Sequence, residues 1–257
     1  MAKEALISVM KRYELKYRLS KENVALFKEE ISKYMKMDEY GLTSIASLYF
    51  DTPDFLLINR SIEKPSFKEK VRVRSYGLGK PGKPVFLEVK RKFEKVVYKR
   101  RISLLEQDVD AFLDGRLKED KSQIAKELSF LKERYGRLEP KYLIIYDRIA
   151  YYRENSDLRL TLDINPRYRV KDLNLHTSLE GIPLLNEGEA ILEIKVQYSV
   201  PLWLVAILTK LKIYQTSFSK VGTAHKLEKG KNTINIDLNY QELKGGKNHE
   251  LSIQNLA

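Results

Sequence analysis

The sequence contains no cysteine and only three histidines. The absence of cysteine excludes disulfides, thiolate metal sites and a cysteine nucleophile, and it is compatible with a reducing compartment. His176, His225 and His249 are far apart and lack the spacing of a zinc site, so we expect each to be a surface or helix residue. No Ser-His-Asp arrangement is indicated. Any bound metal would therefore need oxygen ligands.

Long hydrophobic runs are also absent. The apolar stretch near the N-terminus is too short for a signal peptide, and no segment approaches the ~20 apolar residues of a membrane span. The longest apolar run, residues 200–208, predicts a buried helix with an inner stripe. The stripe consists of Trp203, Leu204, Ile207, Leu208 and Leu211. We expect a soluble, cytoplasmic protein without a transmembrane segment of its own.

Positive charge is in excess. The 257 residues include 47 Lys and Arg against 35 Asp and Glu, which gives a formal net charge of +12. Such a charge attracts nucleic acid, an anionic membrane or a polyanionic small molecule, and charge alone does not distinguish the three. The length suits one large domain, which we place at residues 1–229. The remaining tail, residues 230–257, contains a polar Gly245-Gly246 segment and is predicted to be partly flexible.

Charged residues recur two apart in six stretches that otherwise resemble β-strands. Because side chains alternate between the faces of a strand, each charged set points to one face and the apolar residues between them point to the other. Arginine dominates, and an isolated carboxylate recurs beside the cations. This order favours an α+β fold in which the sheet closes into a barrel with a charged lumen. The stretches are Arg12-x-Glu14-x-Lys16-x-Arg18, Arg72-x-Arg74, Glu88-x-Lys90, Lys99-x-Arg101, Arg159-x-Thr161-x-Asp163 and Glu193-x-Lys195.

Apolar periodicity predicts eight strands and several peripheral helices. The strands are expected at residues 10–18, 43–51, 67–76, 83–91, 95–103, 139–153, 157–170 and 189–197. One helix is expected after an N-cap at Ser20, two within residues 105–135, and others at residues 200–212 and 217–227. The glycine-rich stretch at residues 77–83 resembles a P-loop, but Pro84 stands where Ser or Thr would bind magnesium. We interpret it as a hairpin turn.

Cations that line one lumen cannot neutralise one another, and burying them unpaired is costly, so the lumen needs anions. Arginine holds phosphate oxygens with a planar fork, and lysine supplies a mobile point charge. We predict that Glu193, with Glu14 as a second candidate, binds Mg²⁺ or Mn²⁺, whereas Glu88 orients neighbouring cations through ion pairs. The cations that suit a chain of several phosphates are Lys16, Arg72, Arg74, Lys90, Arg148 and Arg159.

Eight short motifs, in this order, resemble the VTC domain of polyphosphate polymerases, a family within the CYTH-like superfamily of triphosphate tunnel metalloenzymes. The resemblance extends from about residue 10 to residue 227. The motifs that carry it are Arg12-Tyr-Glu14-Leu-Lys16-Tyr17, Tyr49-Phe50-Asp51-Thr52-Pro53, Arg72-Val-Arg74, Glu88-Val-Lys90, Tyr146-Asp-Arg148, Arg159-Leu-Thr-Leu-Asp163, Glu193-Ile-Lys195 and Phe218-Ser219-Lys220.

The resemblance implies an eight-stranded antiparallel tunnel that binds ATP with Mn²⁺ or Mg²⁺ and transfers the γ-phosphate to a growing polyphosphate chain, releasing ADP. It implies that Glu193 is the metal ligand, that Tyr146 forms a hydrogen bond near the phosphates, and that Ser219 and Lys220 lie near product phosphates. Lys99 and Arg101 are expected to be further lumen residues that contact phosphate. The residues implied to bind the reacting phosphates are Lys16, Arg72, Arg74, Lys90, Arg148 and Arg159.

Two departures from the family pattern leave alternatives open. Hydrolytic relatives resemble a Glu-x-Glu-x-Lys pattern on the first strand, and here Arg12 occupies the position of its first Glu, which favours a polymerase over a hydrolase. Ser217 occupies a position where the polymerase pattern usually has a basic residue, which predicts weaker product binding. A metal-dependent triphosphate hydrolase remains the nearest alternative, and a polyanion- or RNA-binding protein is the other. The aromatics form no evident platform for nucleic-acid bases, so we expect no nucleic-acid partner. A separate membrane partner is compatible with the family's eukaryotic members.

Overall fold

Alternating apolar and charged residues build one antiparallel sheet. A computed structural model describes residues 13–63, 65–93, 96–116 and 123–231. Arg12, His249 and most of the tail, which the sequence analysis singled out, lie outside these ranges. The strands are β1 Tyr13–Leu19, β2 Lys36–Met37, β3 Thr43–Asp51, β4 Phe67–Tyr76, β5 Pro84–Phe93, β6 Val96–Leu105, β7 Glu139–Tyr152, β8 Arg159–Arg169, β9 Ile182–Pro183 and β10 Ala190–Val196. The eight longer strands match the eight that the sequence predicts.

The strands follow the order β1-β10-β8-β7-β3-β4-β5-β6, with short β2 paired to β7 and short β9 paired to β8. The predicted α+β antiparallel architecture is confirmed, but β1 and β6 form no hydrogen-bonded pair with each other among the described residues. Inner-face lysines repel one another, since Lys16 and Lys90 both lower the pKa of Lys70. One hydrogen bond joins β5 to β1, because Lys90 Nζ donates to Glu14 Oε2 at 2.8 Å.

Four of the six described helices cover the outer face of the sheet at two apolar cores. The helices are α1 Lys21–Ser32, α2 Leu56–Glu63, α3 Val109–Leu113, α4 Gln123–Tyr135, α5 Leu202–Lys210 and α6, residues 220–231. Helices α3 and α4 pack on outward residues such as Val71 and Leu87, while α1 and α5 pack on Leu160 and Ile194. No helix within the described ranges is long and apolar enough to cross a membrane.

The caps and apolar stripes of two outer helices agree with the sequence analysis. Ser20 Oγ accepts a hydrogen bond from Asn23 N and caps α1, as its position predicts. Along α5, Leu204, Ile207 and Leu208 are buried as the predicted stripe requires. The glycine-rich stretch between β4 and β5 is the predicted hairpin connection rather than a phosphate-binding loop before a helix.

Leu57 of α2 belongs to an outer core, but α2 and α6 both also pack against the inner side of the sheet. They form a third apolar cluster with inward residues of β3 and β7, in which Ile58 of α2 and Val221 of α6 contact Tyr49 and Tyr142. The sequence analysis recognised α6 but missed α2, because it interpreted Asp51 and its neighbours only as the end of a strand. Asp51 is in fact a cap, since its carboxylate accepts hydrogen bonds from the backbone amides of residues 57 and 58.

A buried histidine joins the two inner helices to the sheet. His225 of α6 is 2% exposed, and its Nδ1 accepts a hydrogen bond from the Tyr142 hydroxyl at 2.9 Å. Its Nε2 lies 3.1 Å from Asn59 Oδ1, which can only accept, so the proton is on Nε2. Burial lowers the pKa of His225 below its ordinary value. The residue belongs to a helix, as expected, and its burial favours the neutral imidazole.

This histidine predicts loss of stability in mild acid. Because the folded state depresses the pKa of His225, the unfolded chain binds the proton more readily, and the free energy of unfolding falls as the pH drops below ~6.5. Thermal unfolding followed above and below this pH should show the decline in the natural protein and a smaller decline in His225→Gln. His176→Gln, at an exposed histidine paired with Glu106, is the control. An unchanged pH profile in His225→Gln would contradict the prediction.

Candidate active site

The charged side chains of seven strands converge on the inner face of the sheet. The register explains the arrangement, because Lys16 of β1 lies opposite Glu193 of β10, and Arg72 of β4 lies opposite Glu88 of β5. Strand alternation turns the neighbours of each charge towards the outer cores. The inner-face charges are Glu14, Lys16, Lys68, Lys70, Arg72, Arg74, Glu88, Lys90, Lys92, Lys99, Arg101, Arg148, Arg159, Asp163, Glu193 and Lys195.

Glu88 is the centre of the first ion cluster. Its side chain is 1% exposed and accepts hydrogen bonds from Arg72 Nε at 2.9 Å and from Arg101 Nε at 2.8 Å. Lys99 Nζ lies 2.7 Å and Arg74 Nη1 3.8 Å from its oxygens. Although burial raises the pKa of Glu88, Arg72 and Arg74 hold it far below its usual range. One carboxylate thus orients four cations, as expected for Glu88, and leaves the cluster with excess positive charge.

Asp163 and Glu193 form the second ion cluster. Arg148 donates two hydrogen bonds, of 2.6 and 2.9 Å, to the Asp163 carboxylate, and Lys220 of α6 contacts the same carboxylate. Arg148 Nη2 also lies 3.7 Å from Glu193 Oε2, which is 2.8 Å from Lys195 Nζ. Although burial raises the pKa of Asp163, Lys220 and Arg148 hold it below its ordinary value. Asp163 was part of a quoted motif, but the sequence analysis gave it no role in the site.

Glu14 and Glu193 are the two carboxylates that the sequence analysis proposed as metal ligands. Lys16 Nζ lies between them, 3.8 Å from Glu14 Oε1 and 3.6 Å from Glu193 Oε1. Burial lowers the pKa of Lys16, but the two carboxylates raise it by more, and Lys195 and Lys16 help to hold the pKa of Glu193 well below its usual range. The described residues contain no cluster of three acidic or histidine side chains suited to a metal. Two carboxylates with phosphate and water ligands fit Mg²⁺ or Mn²⁺.

An open cavity of about 410 Å³ lies beside these clusters. Among the described residues that line it, Glu14 is the only acidic one, whereas the lysines are Lys16, Lys68, Lys70, Lys90, Lys92 and Lys226. We call this space the lysine cavity. Its wall includes Ser217 and Ser219, and Lys70 Nζ donates to Ser219 Oγ at 3.0 Å. Burial, with repulsion from Lys16 and Lys90, lowers the pKa of Lys70 to about 8.

The sequence analysis missed several cavity lysines although a signal was present. Lys68 and Lys70 continue the Arg72-x-Arg74 pattern towards the start of β4 at every second position, and Lys92 continues the pattern of β5. The predicted residues Lys16, Arg72, Arg74, Lys90, Lys99, Arg101, Tyr146, Arg148, Glu14, Glu193, Ser219 and Lys220 all lie around the same interior. Tyr146 accepts a hydrogen bond from Arg74 Nη2 at 3.2 Å.

Arg159 is the predicted cation that lies apart from the clusters. It is exposed at the start of β8, and its Nη1 donates to the carbonyl oxygens of Ser156 and Leu158. Its guanidinium also lies over the ring of Tyr152, with 5.9 Å between the guanidinium carbon and the ring centre. The strand alternation places it on the inner face, but the exposed strand end turns its charge away from the ion clusters.

An antiparallel α+β sheet with a cationic interior is the architecture that the sequence resemblance implied. The VTC domain matches residues 11–228, and the chain belongs to the VTC domain family. This match covers nearly the whole described part of the chain and confirms the resemblance found in the motifs. No match was found among curated proteins.

Solved structures that are similar to this chain have low sequence identity to it. A proposed adenylate cyclase from Bacillus halodurans is 18% identical, with 82% of this chain and 96% of that chain covered and a TM-score of 0.50. A proposed adenylyl cyclase from Hippeastrum with a dominant triphosphatase activity is 17% identical, with 83% and 94% covered and a TM-score of 0.49. A proposed adenylate cyclase from Vibrio parahaemolyticus is 12% identical, with 83% and 97% covered and a TM-score of 0.45.

Removal of the Glu88 charge should destabilise the folded protein. The Glu88→Gln variant leaves four neighbouring cations without their shared counter-charge, so we expect a loss of about 3 kcal/mol in the free energy of unfolding. Inorganic tripolyphosphate should restore part of this loss, because a polyanion that binds only the folded state stabilises it. Urea unfolding with and without tripolyphosphate measures both effects. The control Glu154→Gln, in an exposed pair with Lys36, should change little.

Equal losses in Glu88→Gln and Glu154→Gln would contradict the central role of Glu88 in the cluster. A large loss that tripolyphosphate does not reduce would instead show that the cations around Glu88 do not take up phosphate.

Proposed function

We propose that the protein is an ATP-dependent inorganic polyphosphate polymerase that transfers the γ-phosphate of ATP to a growing polyphosphate chain and releases ADP. The observation that carries the proposal is the row of cations on β4, which occupies every second position from Lys68 through Lys70 and Arg72 to Arg74. At the rise of an antiparallel strand, this row is about 20 Å long. It exceeds the length of the three phosphates of one nucleotide and suits a longer polyanion.

The two ends of the row differ in a way that fits two kinds of phosphate ligand. Arg72 and Arg74 are held by Glu88, so their forks are oriented before a ligand binds and suit a fixed triphosphate. Lys68 and Lys70 line the lysine cavity, where mobile point charges suit a chain that must move by one phosphate per cycle. The arrangement therefore supports a nucleotide beside the arginines and a polymer in the lysine cavity.

The proposed reaction needs no covalent intermediate with the protein. A terminal oxygen of the polyphosphate chain attacks the γ-phosphorus of ATP, a new P–O bond forms, and the bond to the bridging oxygen of the β-phosphate breaks. The negative charge that develops on the equatorial and leaving oxygens is stabilised by oriented cations, among which we place Lys16, Arg72, Arg74, Lys90 and Arg148. ADP leaves with the electron pair of the broken bond.

Glu193 and Glu14 would hold the divalent cation, Mn²⁺ or Mg²⁺. The ion supplies charge neutralisation and orientation of phosphate oxygens. Lys16 lies between the two carboxylates, so its ammonium group would have to move towards the phosphates when the ion binds. Lys99, Arg101, Tyr146, Ser219 and Lys220 are proposed to contact substrate or product phosphates, whereas Arg159 is proposed to meet phosphates only at the exposed end of the interior.

The products formed from ATP test the proposed function directly. Purified protein incubated with ATP and Mn²⁺ should release ADP and form polyphosphate that is resolved on a gel, while orthophosphate is assayed in the same samples. ADP with orthophosphate and no polymer would replace the polymerase by a triphosphate hydrolase. Metal-independent binding of polyanions without ATP turnover would favour a binding protein.

Glu193→Gln should separate catalysis from binding. The amide keeps the shape of the side chain but loses the charge that would hold the metal, so turnover should fall by at least about 100-fold while ATP binding without metal survives. Initial rates of ADP release and calorimetric ATP titration measure the two properties. Glu30→Gln, which removes an exposed carboxylate of α1 paired with Lys33 and Lys210, is the matched control. Unchanged turnover in Glu193→Gln would remove Glu193 from the mechanism.

A further inference from the structure

Two aromatic rings stand on the inner face at the end opposite the lysine cavity. Tyr76 is the last residue of β4, and Phe86 is near the start of β5. Their ring centres are 5.8 Å apart in an edge-to-face arrangement, and the guanidinium carbon of Arg101 lies 4.2 Å from the centre of the Phe86 ring. Arg101 Nη2 donates to the Tyr76 hydroxyl at 2.7 Å. The three side chains form one unit, which we call the aromatic mouth.

The register explains why this unit faces the interior. Tyr76 continues the inward series of β4 two residues beyond Arg74, and Phe86 lies directly opposite Arg74. The lysine cavity begins at Lys68 and Lys92, at the other end of the same two strands. The aromatic mouth and the lysine cavity are thus separated by the length of β4, about 27 Å from residue 68 to residue 76 at the rise of a strand.

The aromatic mouth is joined to the first ion cluster. Arg101, which supports both rings, donates through Nε to Glu88, and Glu88 also binds Arg72. A ligand whose phosphates contact Arg72 and Arg74 would therefore place its next group beside Tyr76. The Tyr76 side chain is 51% exposed although it belongs to the charged inner face, so an aromatic surface is left open to an incoming molecule.

We infer that the aromatic mouth binds the base of a nucleoside triphosphate, with the base stacked on Tyr76 and the triphosphate directed inward to Arg72 and Arg74. The inference rests on the proposed function and adds to it the place where the base of the nucleotide binds. Phe86 holds the Tyr76 ring edge-to-face, and the Arg101 bond to the hydroxyl limits its rotation. A base and an aromatic ring stack without hydrogen bonds, so the same surface accepts different bases.

This site determines which part of the ligand lies at each end of the interior. The nucleoside enters at the aromatic mouth, the γ-phosphate lies between the two ion clusters, and the polymer extends into the lysine cavity. The opposite orientation would put the base among six lysines, whose charge a neutral base does not balance.

Comparison of two ligands that differ only by the nucleoside tests the inference. Calorimetric titration with ATP and with inorganic tripolyphosphate, both in EDTA to prevent turnover, gives the two dissociation constants. Tyr76→Ala should weaken ATP binding about 10-fold and leave tripolyphosphate binding within about twofold, because only ATP loses a stacking contact. Tyr76→Phe should bind both ligands as the natural protein does, because it keeps the ring and removes only the hydroxyl that bonds Arg101.

Tyr98→Ala is the matched control, because Tyr98 is a 39% exposed tyrosine on β6 whose cross-strand partner Arg91 points to the outer face. It should change neither dissociation constant. Equal weakening of both ligands by Tyr76→Ala would overturn the inference, since it would assign Tyr76 to support of the phosphate site through Arg101. No change for either ligand would overturn it as well. If ATP binding depends on Tyr76 but no polymer forms, the polymerase proposal fails and the nucleotide site remains.

Discussion

The rest of this structure depends on one constraint. Many positive charges lie close together on the inner face of one curled sheet. The buried carboxylates Glu88, Asp163 and Glu193 each bind several cations, and at low dielectric these contacts hold the interior together. Among the described residues their number is smaller than that of the cations, so the described interior keeps an excess of positive charge that favours a bound anion. The edge strands β1 and β6 remain unpaired with each other in the described part of the chain.

Strand alternation assigns stability and ligand binding to opposite faces of the same strands. On β4, Val71 and Val73 are buried in the outer core beneath α3 and α4, while Arg72 between them belongs to the ion cluster. The outer cores supply apolar burial that does not depend on a ligand, so the inner face can retain unbalanced charge. The exception is the inner apolar cluster around Tyr49 and Tyr142, where α2 and α6 cover part of the sheet and leave the remainder open.

Three chemically different regions then follow one another along the interior, and each suits a different part of the proposed substrates. The aromatic mouth provides a ring surface, the arginines around Glu88 provide oriented forks, and the lysine cavity provides mobile charges. A hydrolase needs only the middle region, because its acceptor is water. In the proposed polymerase the lysine cavity would hold the polymer, and the aromatic mouth would hold the base of the nucleotide donor.

The sequence alone determined the eight strands, the charged face and the family, because strand alternation and short motifs are local properties of the chain. It also identified most inner-face cations, since Arg72-x-Arg74 or Glu193-x-Lys195 points to one face in any strand. It did not reveal α2, the role of Asp163, the lysine cavity with Lys226, or the separate position of Arg159. Those depend on pairings between residues distant in sequence, such as Arg148 with Asp163 and Lys90 with Glu14. Only the tertiary structure decided which charges neutralise one another, because the Coulomb energy depends on distances that the register and curl of the sheet set.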